Sequence, residues 1–281
     1  MIWKRTPEKV LMDWKKVLLK ISCLFLYIVT FNSFAQPDIE FQRLKESYPE
    51  TIQDISDDHI EWKNGNTLQV RNNMEFINKL KNIFSPETTT AEPSITAKDL
   101  RCDTYETFFK KMYGTNPEEV KNNLRIVYWM PKVFGNRYPL KITTVNGVDK
   151  KIQHISDELE KLPHSFYKYL ENPGGSFYWR NVKGQGYLSS HSFGIAIDIN
   201  THYGNYWLWD WEKENRPPGL LTYRNRIPME IVKIFEQEGF LWGGRWYFYD
   251  TMHFEYRPEL FVREAGLEPH YSNQLGTRCS V

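Results

Sequence analysis

The sequence has few cysteines, almost no net charge and few long apolar runs. Each of these shortages excludes a class of protein. Three cysteines in 281 residues are too few for the dense disulfide framework of a small secreted domain. Lysine and arginine number 36 against 35 for aspartate and glutamate, which leaves no basic excess for a nucleic-acid surface. A hydrophobic content of 41% with 25% charged residues is typical of a globular protein and excludes a disordered chain.

The longest apolar run lies near the N-terminus, from Ile21 to Phe31. Lysines precede it and Ser33-Phe34-Ala35 follows it, so residues 1–35 have the basic region, apolar core and small-x-small ending of a signal peptide. The run is shorter than the ~20 residues that a membrane-spanning helix needs. The sequence therefore predicts a periplasmic or extracellular protein with no stable membrane span after cleavage; an uncleaved N-terminal anchor is the alternative.

The rest of the chain divides into an accessory N-terminal segment, residues 36–95, and a main domain, residues 96–281. Asn64-Gly65, flanked by alternating apolar residues from Ile60 to Val70, predicts a hairpin in the accessory segment. The proline-containing stretch from Ser85 to Ser94 has no apolar periodicity and is typical of a linker.

The main domain mixes strands and helices without regular βαβ alternation, which predicts an α+β fold. Four segments have the pattern of strands: Arg125–Met130, Leu140–Val145, Gly194–Asn200 and Met252–Arg257. Two have the pattern of helices: Ser156–Leu170, which Pro163 could break or kink, and Asn225–Gly239.

Two strand-like segments carry side chains suited to a metal. Alternation places Asp198 on the face opposite the neighbouring isoleucines, and His191 lies just before that strand. His253 and Glu255 share a face of the other strand. Two histidines and one carboxylate are a ligand set that suits a catalytic zinc, which keeps a fourth position for water.

These residues form two motifs that together resemble the zinc DD-peptidase family. The first motif, S-x-H-x-x-G-x-A-x-D, and the second, D-x-x-H, consist here of Ser189, His191, Gly194, Ala196, Asp198, Asp250 and His253. The family includes D-alanyl-D-alanine carboxypeptidases, dipeptidases and L-alanyl-D-glutamate endopeptidases, and it shares its fold with the hedgehog signalling domain. The resemblance covers roughly residues 101–260 and implies a central antiparallel sheet with flanking helices and the zinc site on the sheet face.

Residue by residue, the resemblance implies one zinc per chain, held by His191, Asp198 and His253. Asp250 takes the position of the catalytic acid/base, where the dipeptidase branch has Glu and the endolysin branch Asp. Arg180 is the arginine expected to hold carbonyl or carboxylate oxygens of the substrate. Ser189 and Glu255 are the expected orienting partners of the metal-bound histidines. These four roles are expectations from the resemblance.

The function implied is a secreted zinc metallopeptidase that hydrolyses peptidoglycan stem peptides or muropeptides as a D-alanyl-D-alanine carboxypeptidase. An L-alanyl-D-glutamate endopeptidase, a peptidase of other substrates and a non-catalytic zinc-binding module remain alternatives. A serine hydrolase is disfavoured because the chain has no G-x-S-x-G motif. The tryptophans between Tyr203 and Trp211, together with Trp242 and Trp246, line a substrate groove or belong to the core. The pairing of Cys102 with Cys279 stays open.

Overall fold

A computed structural model describes residues 39–56, 59–69, 102–183, 186–214, 223–246, 248–262 and 270–271. The chain divides into two compact units, residues 1–39 and 40–281, and the fold below is that of the second. The predicted signal peptide, the predicted linker and Cys279 lie outside the described residues. Within those residues, no helix combines the length and the apolar character needed to cross a membrane.

The N-terminal segment forms a helix and a small antiparallel sheet. Helix α1 (Ile39–Ser47) is followed by strands β1 (Ile52–Ile55), β2 (His59–Trp62) and β3 (Thr67–Gln69). Strands β2 and β3 pair around the Asn-Gly turn, which confirms the predicted hairpin. The segment packs into the same apolar core as the main domain, through Leu44, Tyr48, Ile52, Ile60 and Trp62.

The next part of the chain, from residue 102 to residue 159, alternates helices with one pair of strands. It contains α2 (Cys102–Tyr113), α3 (Pro117–Asn122), β4 (Leu124–Tyr128), α4 (Pro131–Phe134), β5 (Pro139–Thr143) and α5 (Val148–Leu159). Strands β4 and β5 form an antiparallel pair, as their sequences predict.

The predicted helix Ser156–Leu170 is wrong in its bounds. Helix α5 begins at Val148 and ends at Leu159, and a separate 3₁₀ turn covers His164–Tyr169. The helix begins early because Asn146 and Gly147 adopt left-handed backbone angles that turn the chain into it. Its buried face then consists of residues at helical spacing: Val148, Ile152, Ile155 and Leu159. Pro163 fits no helix interior because it lacks a backbone N–H.

The central sheet has four antiparallel strands in the order β6-β7-β9-β8. These strands are β6 (Pro173–Gly175), β7 (Ala196–Asn200), β8 (Phe240–Trp242) and β9 (His253–Tyr256). The remaining elements are α6 (Trp207–Glu214), α7 (Met229–Gln237) and the short pair β10 (Phe261–Val262) and β11 (His270–Tyr271). Mixed helices and antiparallel sheets confirm the α+β class. Helix α7 is shorter than the predicted Asn225–Gly239, because Pro228 is its N-cap rather than part of its first turn.

One face of the central sheet is apolar and carries the core. Phe254 in β9 stacks on Phe235 of α7 with ring centroids 3.9 Å apart, and Ile197 pairs with Phe254 across the two central strands. Because side chains alternate along a strand, Asp198 and His253 are turned to the opposite face. Helix packing therefore fixes which residues the other face presents.

Gly194 joins the turn that carries His191 to strand β7, and we expect its replacement to destabilise the fold. Its φ of 67° is left-handed, and a Cβ would lie 2.6 Å from Leu124 Cδ2 and 3.2 Å from the backbone nitrogen of Thr143. Gly194→Ala should lower the free energy of unfolding by ~2–4 kcal/mol through strain and overpacking combined. Urea unfolding measures this change.

Gly147 provides a matched control for Gly194. Its angles, φ 63° and ψ 22°, nearly equal the 67° and 25° of Gly194. A Cβ there would meet only the end of the Glu50 side chain, at 3.4 Å. Gly147→Ala should therefore cost only the backbone strain, ~1–2 kcal/mol. Equal losses for the two variants would contradict the packing argument.

Candidate metal centre and active-site cavity

Backbone pairing in the central sheet brings the potential metal ligands together. In the register of β7 and β9, Asp198 lies directly opposite His253. His191 reaches them from the 3₁₀ turn Ser190–Phe193, in which the Ser189 hydroxyl accepts from the backbone N–H of His191. Gly194 ends this turn in the left-handed conformation and leads the chain into β7. The three side chains therefore converge from two strands and one turn.

The donor atoms of this cluster have the spacing of a zinc site. Asp198 Oδ1 lies 3.2 Å from His191 Nε2 and 2.9 Å from His253 Nδ1, and the two nitrogens are 3.2 Å apart. Ligands at ~2.0–2.1 Å from a tetrahedral zinc are separated by ~3.3 Å, so the triangle matches one face of that tetrahedron. Two nitrogens and one carboxylate oxygen are also donors that zinc prefers. The residues present fit the metal.

Each histidine is oriented by a hydrogen bond from its other nitrogen. His191 Nδ1 donates to the backbone carbonyl of Ser176 at 2.9 Å, which leaves Nε2 directed at the cluster. His253 Nε2 donates to Glu255 Oε2 at 3.2 Å, which leaves Nδ1 directed at the cluster. Glu255 thus occupies the orienting position predicted for it. Ser189, the other predicted orienting partner, accepts a hydrogen bond from the backbone N–H of His191 at 3.4 Å. The imidazole of His191 is oriented by the Ser176 carbonyl instead.

Charge in the metal-free cluster is balanced by an ion pair. Burial alone would raise the pKa of Asp198, but the charges and hydrogen bonds of His191 and His253 hold it well below its usual range. Burial likewise opposes the charged form of His253, yet hydrogen bonds to Asp198 and Glu255 raise its pKa to about 10. Burial also opposes ionisation of Glu255, but His253 and Arg257 lower its pKa to about 2. At neutral pH a cationic His253 therefore lies between two carboxylates.

Zinc uptake at pH 7 should release at least one proton from the cluster. A histidine must be neutral to bind a metal, whereas His253 with a pKa of about 10 is protonated at that pH. Zinc affinity should therefore rise with pH throughout the range below about 10. Calorimetric titrations of the metal-free protein with zinc, in buffers of different ionisation enthalpy, count the protons released. A binding heat independent of the buffer would contradict this assignment.

The three residues of the cluster line a cavity of about 450 Å³. Asp250 and Arg180, the two residues predicted to act on the substrate, both line it. Aromatic side chains form part of its wall: Phe109, Tyr187, Tyr206, Trp209 and Trp246. Among the tryptophans that the sequence placed in a groove or in the core, Trp209 lines the cavity from helix α6, whereas Trp242 is buried in the core.

Asp250 is half-buried, and one of its carboxylate oxygens is unsatisfied. Its Oδ1 is buried and has no hydrogen-bond partner among the described residues. Burial, and then the negative charge of Asp198, raise the pKa of Asp250 to about 7 in the metal-free chain. A carboxyl group with such a pKa can both accept and donate a proton near neutral pH.

The position of Asp250 depends on a close approach of two backbone segments. Its N–H donates to the carbonyl of Gly243 at 3.0 Å. A Cβ on Gly243 would lie only 2.5 Å from the carbonyl oxygen of Asp250. Gly243, the first glycine of the WGG sequence, is therefore required to hold Asp250 in the cavity wall.

Arg180 presents an exposed guanidinium to the same cavity. Its backbone N–H donates to Ser192 Oγ at 3.0 Å, which fixes the main chain next to the His191 turn. Its guanidinium makes a 3.4 Å contact with the carbonyl of Asn181, and the described residues offer it no carboxylate partner within ion-pair distance. A planar cation in this state is available to an anionic or carbonyl group of a substrate.

Several residues at the site were missed by the sequence reasoning. Ser176 acts through a backbone carbonyl, which leaves no trace in residue identity. The Ser190 hydroxyl lies 3.3 Å from His253 Nε2. Trp246, by contrast, was among the candidate groove residues, and it packs on His253 with ring centroids 5.4 Å apart. Arg257, the residue just after β9, holds Glu255 at 3.1 Å, and alternation along the predicted strand Met252–Arg257 could have provided this signal.

Comparison with known proteins gives one match. Residues 183–256 match a family model described as D-alanyl-D-alanine carboxypeptidase. No curated protein and no solved structure matches the chain. The matched segment contains the three residues of the metal cluster together with Asp250, whereas Arg180 lies just before it. The match over residues 183–256 includes both motifs and supports the resemblance of this part of the chain to the zinc DD-peptidase family.

Proposed function

We propose that this chain is an exported zinc peptidase that removes the terminal D-alanine from peptidoglycan stem peptides ending in D-Ala-D-Ala. The observation that carries the proposal is the convergence of Asp198, His191 and His253 in a cavity that also holds Asp250 and Arg180. The family description of residues 183–256 supports the substrate class. The signal-peptide pattern of residues 1–35 supports export to the compartment that contains the cell wall.

In this proposal His191, Asp198 and His253 hold one zinc ion. Zinc, when bound, acidifies a water molecule and polarises the scissile carbonyl. Glu255 and the Ser176 carbonyl keep the two imidazoles in the tautomers that present a lone pair to the cluster. The ligand set is therefore oriented before substrate arrives.

Asp250 supplies the proton transfers. Its carboxyl group lines the cavity beside the candidate metal ligands and is the proposed acceptor for the proton of the attacking water. The same carboxyl group then donates that proton to the nitrogen of the departing D-alanine. A non-catalytic binding module would have no need of an acid/base group beside a complete set of metal ligands.

Arg180 supplies the recognition of the substrate's negative charge. A carboxypeptidase must capture a terminal carboxylate, and an exposed guanidinium forms bidentate hydrogen bonds with that group. The aromatic side chains Tyr206 and Trp209 supply an apolar wall for the remainder of the stem peptide. This combination favours the carboxypeptidase.

The second candidate is an L-alanyl-D-glutamate endopeptidase. It is favoured by one observation, the Asp at position 250, where the dipeptidase branch has Glu. In that enzyme Arg180 would hold a carbonyl oxygen or the α-carboxylate of D-glutamate instead.

The test is to incubate the zinc-loaded protein with a purified pentapeptide muropeptide and identify the products by mass spectrometry. Loss of a single alanine from the C-terminus supports the proposal. Release of the stem peptide beyond its first alanine overturns it in favour of the endopeptidase. The Asp250→Asn protein, treated identically, is the control for contaminating peptidases.

A further inference from the structure

A continuous network of buried polar side chains leads away from the metal cluster to the N-terminal segment. His253 Nε2 donates to Glu255, and Arg257 Nη1 donates to the other oxygen of that carboxylate at 3.1 Å. Arg257 Nε donates to Glu259 Oε1 at 2.5 Å. The Tyr48 hydroxyl donates to Glu259 Oε2, also at 2.5 Å. The network thus joins residues 211 positions apart.

The members of this network beyond His253 alternate in charge and have almost no solvent exposure. Glu255 is 7% exposed, Arg257 3%, and Glu259 and Tyr48 0%. Each carboxylate accepts from two different donors, and Arg257 bridges both carboxylates. A buried charge without a partner costs several kcal/mol, so the removal of one member changes the position or protonation of the next.

The end of the network at Tyr48 is rigidly held. Tyr48 follows directly after helix α1, and its ring packs on Phe108 at 5.7 Å and on Tyr256 at 6.2 Å between centroids. Burial, and then the charge of Glu259, raise the pKa of the hydroxyl well above its usual range, so that it remains a proton donor. The hydroxyl therefore fixes Glu259, and Glu259 fixes the guanidinium that holds Glu255.

We propose that Tyr48 and Glu259 are positioning residues for the metal centre, acting through Arg257 and Glu255 on the orientation of His253. The inference rests on the proposed zinc site and assigns a role to the N-terminal segment. This segment lies outside residues 183–256, the part of the chain that matches the peptidase family. Through Tyr48 it would set how tightly the metal is held.

The test is the zinc affinity of Tyr48→Phe, measured by competition with a chromophoric chelator at fixed pH. The substitution removes one oxygen and keeps the packed ring. Loss of a direct partner of a metal-bound histidine typically weakens affinity ~10–100-fold, so we expect ~10–100-fold for Glu255→Gln and ~3–10-fold for the more distant Tyr48→Phe. Nitrogen-15 shifts of the His253 imidazole in the zinc-loaded protein should change in both variants.

Tyr113→Phe is the matched control. Tyr113 is also buried in the core and lies near enough to feel the charge of Glu259, but its hydroxyl accepts from Asn146 Nδ2 at 3.1 Å and forms no hydrogen bond with a network member among the described residues. Both tyrosine variants lose one buried hydrogen bond and should have similarly lowered melting temperatures without metal. Only Tyr48→Phe should lose zinc affinity.

Two results would overturn the inference. One is unchanged zinc affinity and unchanged His253 shifts in Tyr48→Phe, and the other is an equal loss of affinity in Tyr113→Phe. Glu259→Gln provides a second variant, because it removes the charge that Arg257 needs while it retains hydrogen-bonding groups. The two failures are distinguishable. Absence of zinc binding by the wild-type protein would contradict the proposed function, whereas unchanged affinity in Tyr48→Phe, with a wild-type protein that binds zinc, would contradict only this inference.

Discussion

Asp250→Asn should lower turnover by ~10²–10⁴-fold and leave zinc bound, since this is the usual contribution of a general acid/base. The substitution keeps the shape of the side chain but removes the basic oxygen, and Asp250 does not belong to the three-residue metal cluster. Steady-state kinetics on a muropeptide, with the zinc content of the same sample measured by atomic absorption, gives both quantities.

Asp149→Asn is the matched control for this variant. Asp149 is buried and, like Asp250, has an Oδ1 without a hydrogen-bond partner among the described residues, but it lies in helix α5, paired with Arg125 at 3.2 Å. It should retain near wild-type turnover. If Asp250→Asn were equally active, the base would lie elsewhere, and Glu255 would be examined next despite its bonds to His253 and Arg257.

His191→Ala and His253→Ala should each abolish stoichiometric zinc binding and, with it, peptidase activity. A site with two remaining ligands has too few donors for a stable tetrahedral zinc centre. Metal content after dialysis and product formation from the muropeptide measure the two losses. His154→Ala serves as the control, because His154 is exposed and its ring contacts only Glu158 and Glu238.

The two histidine variants should differ in the stability of the metal-free protein. His253 contacts two carboxylates, Asp198 at 2.9 Å and Glu255 at 3.2 Å, whereas Asp198, at 3.2 Å, is the one carboxylate that His191 contacts among the described residues. Removing the shared cationic partner of two buried carboxylates should cost ~3–5 kcal/mol in His253→Ala and clearly less in His191→Ala. Urea unfolding in the presence of a chelator measures both. Equal losses would show that His253 is not the charged member of the pair.

The faces that present the candidate metal ligands could be predicted from sequence because they depend on local alternation. A strand with Asp198 opposite a row of isoleucines has only one way to present the carboxylate, and the same holds for His253 and Glu255. The short motif from Ser189 to Asp198 encodes a turn and a strand together, so its geometry is largely local. These residues meet as the sequence implies.

What the sequence could not provide is the contribution of distant and backbone groups. The Ser176 carbonyl that orients His191 is common to all residue types, and the partner of Glu259 lies 211 positions away. The start of helix α5 was misplaced because a left-handed Asn-Gly turn can lead into a helix as well as into a strand. The tryptophans of α6 alternate in sequence yet lie on a helix. Three residues at a spacing of two are too short a pattern to distinguish a strand from a helix.

The bond between Tyr48 and Glu259 has a consequence for how the protein folds. Closing a loop of this length costs conformational entropy, and contacts between distant residues form slowly for that reason. We therefore expect Tyr48 and Glu259 to meet only after the local hairpins and helices have formed. Tight zinc binding, as proposed here, is then acquired in the last stage of folding. When zinc is present during refolding, the tryptophan fluorescence should reach its native value first. Only afterwards should the bound zinc become inaccessible to chelators. Zinc retention thereby reports on the completion of the whole fold, from its first described helix to its last strands.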